Sequence, residues 1–438
     1  MRTAKDNFWL DIPYTPGPSL SGEHEANVTI IGGGVTGMAS AYFIKKRFPE
    51  KRVIVLESEY IGFGSSGRNS GMGSTIFAHN VVALKKSLGV EKTASLWKHS
   101  FQAISLLDEL VKENGIDCDY EKNGLLVVAE SEKEKWRLEK KVKAYEEIGA
   151  KMIWLDREQA RSRIAGPDVR AAYYSPNDRT LNPAKLVRGM KGVAESLGVE
   201  VYEHSGCTRI EPGPVITVYT SQGSIRTDSI VMATNAYPNP LGLFRNKITS
   251  CFIYDIVTEP LSQAQMDELN WSGRENLMGS KNIFWAARFT ADNRLLFTDD
   301  NPELYYDNDR DYSAVPMPFR RDYKMMIKKF PFLKGIKITH QWGGRIGITL
   351  NMMPAIGCTG KHGNIYYSMG YNGHGVAFSQ LAGKTLAELM SGEKTELTDH
   401  YLINKRHWGI PSRPALYLGM YSYKLYLQGI DRWLAVGN

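Results

Sequence analysis

Three glycines and a glutamate hold the first residues whose types and spacing point to chemistry. Gly32, Gly34 and Gly37 stand in G-x-G-x-x-G spacing within NVTIIGGGVTGMASAYFIKKRFPEKRVIVLE, and Glu57 closes that stretch about twenty residues after Gly37. A glycine at 32 permits a tight turn. One at 34 lets backbone approach a pyrophosphate, and one at 37 lets a helix pack close to a strand. Val35 and Thr36 then fall at a helix start, where free N–H groups and a partial positive charge suit phosphate. Glu57 can accept hydrogen bonds from ribose hydroxyls. The chemistry is the binding of an adenine dinucleotide.

The elements that must position these residues are legible around them. The apolar run 28–31 predicts a strand, 38–48 a helix, and 53–56 a second strand. A second glycine- and serine-rich loop, IGFGSSGRNSGMGS at 61–74, follows within a few residues. A simple nicotinamide domain has no need of such a loop. A flavin buried in extended form does, because backbone must pass beside its ribityl chain and ring. VMATNAY, with Thr234 and Asn235, is an apolar run that closes on small and polar residues, as a strand end against a ligand would. GYNGHGV, with Gly373, His374, Gly375 and Val376, is a turn at the mouth of a helix over 375–390. That turn can aim N–H groups and a helix dipole at the flavin N1–C2=O edge, which becomes negative on reduction. These segments select FAD.

Further strands are predicted at 124–129, 199–203, 215–220, 229–233 and 365–369, and helices at 82–114, 132–149 and after Asn182. From 244 to 336 short strands at 251–258, 283–288 and 294–298 alternate with polar loops, the pattern of an antiparallel sheet. The expected fold class is α/β, α+β overall. A Rossmann-like FAD-binding domain is assembled from 27–95, 150–243 and 337–393. A mostly antiparallel substrate domain comes from 96–149 and 244–336. An irregular leader (1–26) and a helical tail (394–438) complete the chain.

The segments IIGGGVTGMASA, VLES with IGFGSSGRNSGM, QWGGRIGITLNMMPAIG and IYYSMGYNGHGVAFSQLAGKTLAEL resemble the FAD-dependent D-amino-acid oxidase superfamily. The likeness is to its glycine oxidase and sarcosine oxidase branch, nearest to gamma-glutamylputrescine oxidase-like enzymes. The tail RPALYLGMYSYKLYLQGIDRW is similar as well. The resemblance implies oxidation of a C–N bond by hydride transfer to flavin N5. The resulting imine would hydrolyse, and O2 would be reduced to hydrogen peroxide. It also implies cofactor contacts from Ser58, Ser65, Ser66, Gly67, Arg68, Asn69, Gly71, Met72, Cys207 and Gly344. Sarcosine oxidases tether flavin through a cysteine whose approximate counterpart here is Gly344, and Cys358 lies well past it. Non-covalent FAD is therefore expected.

No triad or carboxylate pair stands out, as expected where the flavin carries the chemistry and the protein positions. Arg68 either binds an anionic substrate group or holds loop carbonyls. His374 either contacts flavin or serves through its backbone alone. Arg345 faces flavin or substrate, and Tyr371 and Trp342 are pocket walls or core. These four, Arg68, His374, Arg345 and Tyr371, are the catalytic candidates. Arg288 and Arg294, with Trp285, come from the second sheet, where an arginine can clamp a carboxylate bidentately or simply lie on the surface.

With 438 residues the chain is too long for one compact core. Four scattered cysteines (Cys118, Cys207, Cys251, Cys358) show no metal or disulfide spacing, and no secretory signal is visible, so a cytoplasmic location is expected. The net charge of +7 comes without a nucleic-acid motif. The expected partners are a small amine and O2, with no nucleic acid and no membrane-spanning segment. The apolar stretch 415–427 either packs back on the FAD domain or touches a membrane or a subunit. Rival readings are a flavin dehydrogenase that feeds a quinone or carrier protein, and a flavin-bearing subunit of a hetero-complex.

Overall fold

The computed structural model describes residues 6–75, 80–237, 239–245, 247–306, 310–409 and 412–435. Two eight-stranded sheets organise them. In the first, the strand Gly22–Ile31 lies between Gly223–Met232 and Val53–Leu56, parallel to both. Glu200–Tyr202 and Ile365–Met369 extend the parallel run outward, and Ala355–Thr359 adds an antiparallel edge. All four residues of Val53–Leu56 are buried, which is why that strand reads as an unbroken apolar run. The expected strand at 28–31 is the buried end of a longer one that begins at Gly22. The leader is thus less irregular than its prolines suggest, and Trp9 within it is only 1% exposed.

The second sheet runs Ile338–Thr349, Ile248–Pro260, Arg294–Thr298, Ala286–Phe289, Asn276–Gly279, Leu125–Ala129, Ala171–Ser175, Ile153–Leu155. Six of its seven pairings are antiparallel, the exception joining Asn276–Gly279 to Leu125–Ala129. One face packs Phe252, Tyr254, Ile256 and Phe297 with Phe319 and Met326 of the helix Pro316–Lys329. Sheet membership runs across the expected domain boundaries. Ile153–Leu155, Ala171–Ser175 and Ile338–Thr349 all belong to the second sheet, although 150–243 and 337–393 were expected in the cofactor domain. The glycines of the last strand resemble a cofactor loop because that strand borders the cofactor cavity from the other side. Conversely, the helix Val90–Glu113, expected mostly in the substrate domain, packs on Gly375–Ser391 beside the first sheet.

The helix Val35–Arg47 follows the first strand and packs on Gly375–Ser391 and Pro183–Ser196. The first of these crossings is very close. A Cβ on Gly383 would sit 2.5 Å from the Ala39 carbonyl carbon and 2.7 Å from the Ser40 nitrogen. The tail forms the helix Arg413–Ala435, which docks on Glu132–Glu147 at the second sheet rather than on the cofactor domain. Ser131 donates to the Leu434 carbonyl, and Asp431 accepts from the Asn282 and Ile283 N–H groups. Among the described residues, no helix is long and apolar enough to cross a membrane.

Gly383→Ala should therefore lower the thermal unfolding midpoint by the equivalent of about 1–3 kcal/mol, despite alanine's better helix propensity. Gly429→Ala, at a helical glycine with nothing within 4 Å, should leave it unchanged or raise it. Equal shifts in the two variants would contradict the close crossing.

Candidate functional site

The first strand ends in a turn that only glycine fits. Gly32 has φ +111°, and a Cβ there would meet the Ala233 carbonyl oxygen at 2.7 Å. A Cβ on Gly37 would lie 1.9 Å from the Gly32 oxygen, so helix and strand touch there through backbone. At Gly34 a Cβ would meet Ser66 Oγ at 2.7 Å, and that oxygen accepts the Val35 N–H at 2.9 Å. The second loop is therefore bolted to the helix start. The first intrahelical bond runs from Met38 N–H to Gly34, leaving the N–H groups of Thr36 and Gly37 ahead of the ladder.

Glu57 accepts the Gly33 N–H at 2.8 Å, the Glu59 N–H at 3.1 Å and the Ser58 hydroxyl at 3.2 Å. A carboxylate offers about four acceptor positions. The Gly33 bond leaves Oε2 with capacity for a hydroxyl, and the Ser58 hydroxyl can rotate away from Oε1. Burial raises the Glu57 pKa above its ordinary value, and the bonds from Glu59 and Gly33 oppose that rise.

A cavity of about 1340 Å³ opens from this turn and runs between the two sheets. Of the predicted cofactor-binding residues and the four catalytic candidates, all but Gly37, Gly67 and Gly71 line it. Those three instead let chain segments touch. For instance, a Cβ on Gly71 would lie 2.1 Å from the Leu181 oxygen. Thr234 Oγ1 is buried at the cavity wall with no hydrogen-bond partner among the described residues. An orphaned hydroxyl, a helix N-terminus and a glycine cradle together fit an extended dinucleotide.

The loop at 65–72 is shaped by its own side chains. Asn69 donates to the carbonyls of Ser65 (3.0 Å) and Ser66 (3.2 Å) and accepts from the Gly71 N–H at 2.9 Å. Arg68 donates to the Phe63 carbonyl at 2.8 Å and stacks on that ring, so its bonds are those of a loop brace. The second sheet grips the same loop at several points, among them a bond from the Ser65 hydroxyl to the Arg345 carbonyl. Trp342 Nε1 donates to the Arg68 carbonyl at 2.9 Å. Arg288, 1% exposed and 4.7 Å from the Trp9 ring, donates to the Gly71 carbonyl at 3.1 Å. Ser70 donates to Asp255 at 3.1 Å.

At the far end, Asn235 accepts the Gly370 N–H at 2.9 Å, tying the first sheet to the final glycine turn. Cys207, on the loop between Glu200–Tyr202 and Arg209–Glu211, and Gly344, on the strand Ile338–Thr349, both border the cavity. His374 caps the helix Gly375–Ser391, and its N–H bonds to the Tyr371 carbonyl at 3.0 Å. The Tyr371 hydroxyl accepts from Thr36 at 2.9 Å and shares a proton with Ser368 at 2.7 Å. It thus links the two cofactor-facing helices and does not stand free toward a substrate. Arg345, 7% exposed, lies 5.2 Å from the Tyr237 ring and 5.4 Å from Phe252, and donates to the Arg310 carbonyl at 2.9 Å. No carboxylate among the described residues lies within 4.0 Å of it, so it retains capacity for an anion.

Arg294 is held by Asp292 at 2.6 Å, and Trp285 packs near Phe297 and Phe330. Neither lines the cavity, nor does Arg288. Sequence reasoning missed Asp255. It is 3% exposed on the strand Ile248–Pro260 and lines the cavity. Burial pushes its carboxyl up to about 7, against the opposing pull of the Ser70 hydroxyl and the Arg288 charge. The available signal was a lone aspartate inside the apolar run CFIYDIV. Among the described residues no cluster could hold a metal ion.

Comparison with known proteins agrees with this geometry. Residues 27–389 match the family model DAO, FAD dependent oxidoreductase. The chain is 31% identical over 389 residues to the gamma-glutamylputrescine oxidoreductase of Escherichia coli K12, covering 87% of each chain. It is 30% identical over 389 residues to a Haemophilus influenzae protein named "Probable oxidoreductase OrdL", covering 87% of this chain and 86% of that one. Glycine oxidase from Geobacillus kaustophilus superposes with a TM-score of 0.74 at 21% identity, over 88% of this chain and all of that one. A turn built for a dinucleotide, a cavity between two sheets and a family match across most of the chain lead to one conclusion: this protein belongs to the DAO family of FAD-dependent oxidoreductases.

Proposed function

We propose that the protein oxidises the C–N bond of a small primary or secondary amine, with FAD held non-covalently and O2 as electron acceptor. The similarity to a gamma-glutamylputrescine oxidoreductase supports the amine. The observation that carries the reading is Asp255, a buried carboxylate where the flavin loop meets the second sheet. When bound, FAD takes up the two electrons and the hydrogen of the substrate C–H bond.

The protein's own residues do the rest. An amine must be neutral before its C–H bond is broken, and Asp255 can take the proton from an entering ammonium. A carboxylate titrating near neutrality suits that transfer better than an ordinary one. The Ser70 hydroxyl keeps it oriented, and the Arg288 charge opposes the rise of its pKa. Arg345, with Tyr237 and Phe252 about its guanidinium, can hold an anionic group near the reacting centre. The turn at Gly373–Gly375 brings the N-terminus of the helix Gly375–Ser391 to the cavity, where it would offer N–H groups to the flavin, and the Tyr371–Thr36 bond fixes its position. Cys207 and Cys251 border the cavity, but burial pushes both thiols up to about 12, so neither offers a thiolate for a covalent tether.

An anaerobic screen of small amines should bleach the flavin band, and admitted air should restore it with formation of peroxide. Bleaching by hydroxy acids or alcohols alone would refute the C–N reading. Slow reoxidation by air with fast reoxidation by a quinone or dye would replace O2 as acceptor. Acid precipitation should leave all the flavin in solution. Gly34→Val should yield protein without FAD, because the new side chain dislodges Ser66 and fills the pyrophosphate's approach. Normal flavin content in that variant would overturn the placement.

Asp255→Asn should lower kcat/KM by about 10²-fold and remove the rise of kcat/KM with pH near 7. The same substitution has a signature in stability. A carboxyl whose folded pKa is raised favours the folded state below its unfolded pKa, and that support is lost as pH rises toward the folded value. The variant should therefore gain about 2–3 kcal/mol more over wild type at pH 8 than at pH 5. An equal gain at both pH values in thermal unfolding would show that Asp255 is ionised throughout.

A further inference from the structure

Part of the cavity wall is a short limb, 405–408, of which Lys405, Arg406 and Trp408 line the cavity. The limb hangs from a firm anchor. Ile403 bridges to Ile356, and the Asn404 N–H bonds to the Ile356 carbonyl at 3.0 Å. The Asn404 side-chain oxygen accepts from the Cys358 N–H at 2.8 Å and the Tyr367 hydroxyl at 3.2 Å. Beyond Asn404 the hold is slight. Among the described residues, no backbone hydrogen bond involves 406–408. Trp408 is 66% exposed, and Arg406 is exposed as well. The tail helix Arg413–Ala435, further along the chain, buries only Asp431 and Leu434, both near its other end.

What pins the limb is His407, its one buried side chain, 3% exposed. Its Nδ1 lies 3.1 Å from Oδ1 of Asn351, which follows the strand Ile338–Thr349 and itself lines the cavity. An amide oxygen only accepts, and the Met353 N–H donates to the same atom at 3.4 Å, so the ring proton sits on Nδ1. Nε2 is then the bare nitrogen. It is buried with no hydrogen-bond partner among the described residues, and the Phe244 ring meets the imidazole edge-on at 5.7 Å. The charges that face the ring are Lys405 on the limb and Lys247 from the segment before the strand Ile248–Pro260. No carboxylate among the described residues counters them. Burial, aided by the two lysines, holds the imidazole down at about 4.

We propose that 405–408 is an acid-released strap on the cavity, pinned shut by the neutral imidazole of His407. Acid adds a proton at Nε2, where no acceptor waits, and a third positive charge beside two lysines. The strap then swings out from Asn404, and the imidazolium reaches water. The wall made by Lys405, Arg406 and Trp408 opens with it. Release needs no substrate, so it is separable from the amine reading. A histidine whose closed-state pKa lies below that of free histidine, about 6.5, favours the closed form above that pH. The support is lost as pH falls toward the closed-state value, and one such group raises the open-to-closed ratio about tenfold between pH 7.5 and 5.5.

Trypsin can cut after Lys405 and Arg406 only when the limb leaves the surface, so cleavage of the holoenzyme there reads the open fraction. With rates taken relative to a free peptide of the same sequence at each pH, cleavage should rise about tenfold from pH 7.5 to 5.5. His407→Gln keeps a donor for Asn351 and cannot be protonated, so it should show no rise. His400→Gln should keep the rise. His400, 3.0 Å from the Ser95 hydroxyl and with its ring 4.2 Å from that of His99, lies on the other side of the anchor. Should His407→Gln not fold, Asn351→Asp decides: a carboxylate at Nδ1 holds the protonated ring in place, and the strap should stay closed at pH 5.5. A flat rate in wild type, an equal rise in the deciding variant, or loss of the rise in His400→Gln overturns the strap.

Discussion

Everything at the cofactor cavity depends on one close crossing. The helices Val35–Arg47 and Gly375–Ser391 meet where Gly383 lies against the backbone of Ala39 and Ser40. More than three hundred residues of chain separate them. Because they touch through backbone, both N-termini open into one cavity, the first at Val35 and the second at Gly375. The bond from Thr36 to Tyr371, with Ser368 and Ser379 joined to the same network, locks the crossing with buried hydroxyls. A buried, fully satisfied polar network specifies one arrangement where apolar contact alone would tolerate several. Two helix N-termini thereby open onto the same cavity.

The loop at 65–72 is the second constraint, and it is held from both sides. Ser66 caps the first helix, whereas Trp342, Arg288 and Asp255 reach it from the second sheet. Arg288 is costly for such a task, being a buried guanidinium with no carboxylate within 4.0 Å among the described residues. Burial draws its pKa down, and the charges of Glu121 and Asp255 only partly oppose this. The compensation is geometric: the Trp9 ring covers one side and the Gly71 carbonyl accepts a bond. Burying an unpaired charge is a poor way to gain stability. Here it fixes the loop between leader and sheet, and it helps tune the carboxyl next to it.

The nucleotide end was legible because its signals are local. Gly32, Gly34, Gly37 and Glu57 sit in one strand–turn–helix–strand unit, and their spacing is itself the geometry. The glycine turn before Gly375 was legible for the same reason. Asp255 was not, because its meaning comes from Ser70, Arg288 and burial, all of which are distant in sequence. Arg288 and Arg345 looked alike as arginines in or near strands. Only pairing with Phe252 sets Arg345 at the cavity, while Arg288 faces the leader. The domain boundaries blurred for a related cause. The strand Ile338–Thr349 carries glycines for close approach to the cavity, yet its ladder partner is Ile248–Pro260 of the second sheet.

The tail helix follows from the same economy of charge. Its one buried acid, Asp431, accepts from the Asn282 and Ile283 N–H groups in the turn that carries Lys281 and lies 3.9 Å from Arg137 Nη1, so docking the helix also sets a carboxylate beside that guanidinium. Turned toward Asn282 and Ile283, it secures the helix, and Lys141 holds the same turn through the Ser280 carbonyl. The outward face of the same helix, with Leu418, Tyr421 and Leu425 exposed, contributes nothing to this arrangement. The middle of the helix borders the cavity through Met420, Tyr423, Lys424 and Leu427, and its last turns, with Asp431 and Leu434, fasten it to the second sheet's side of the molecule.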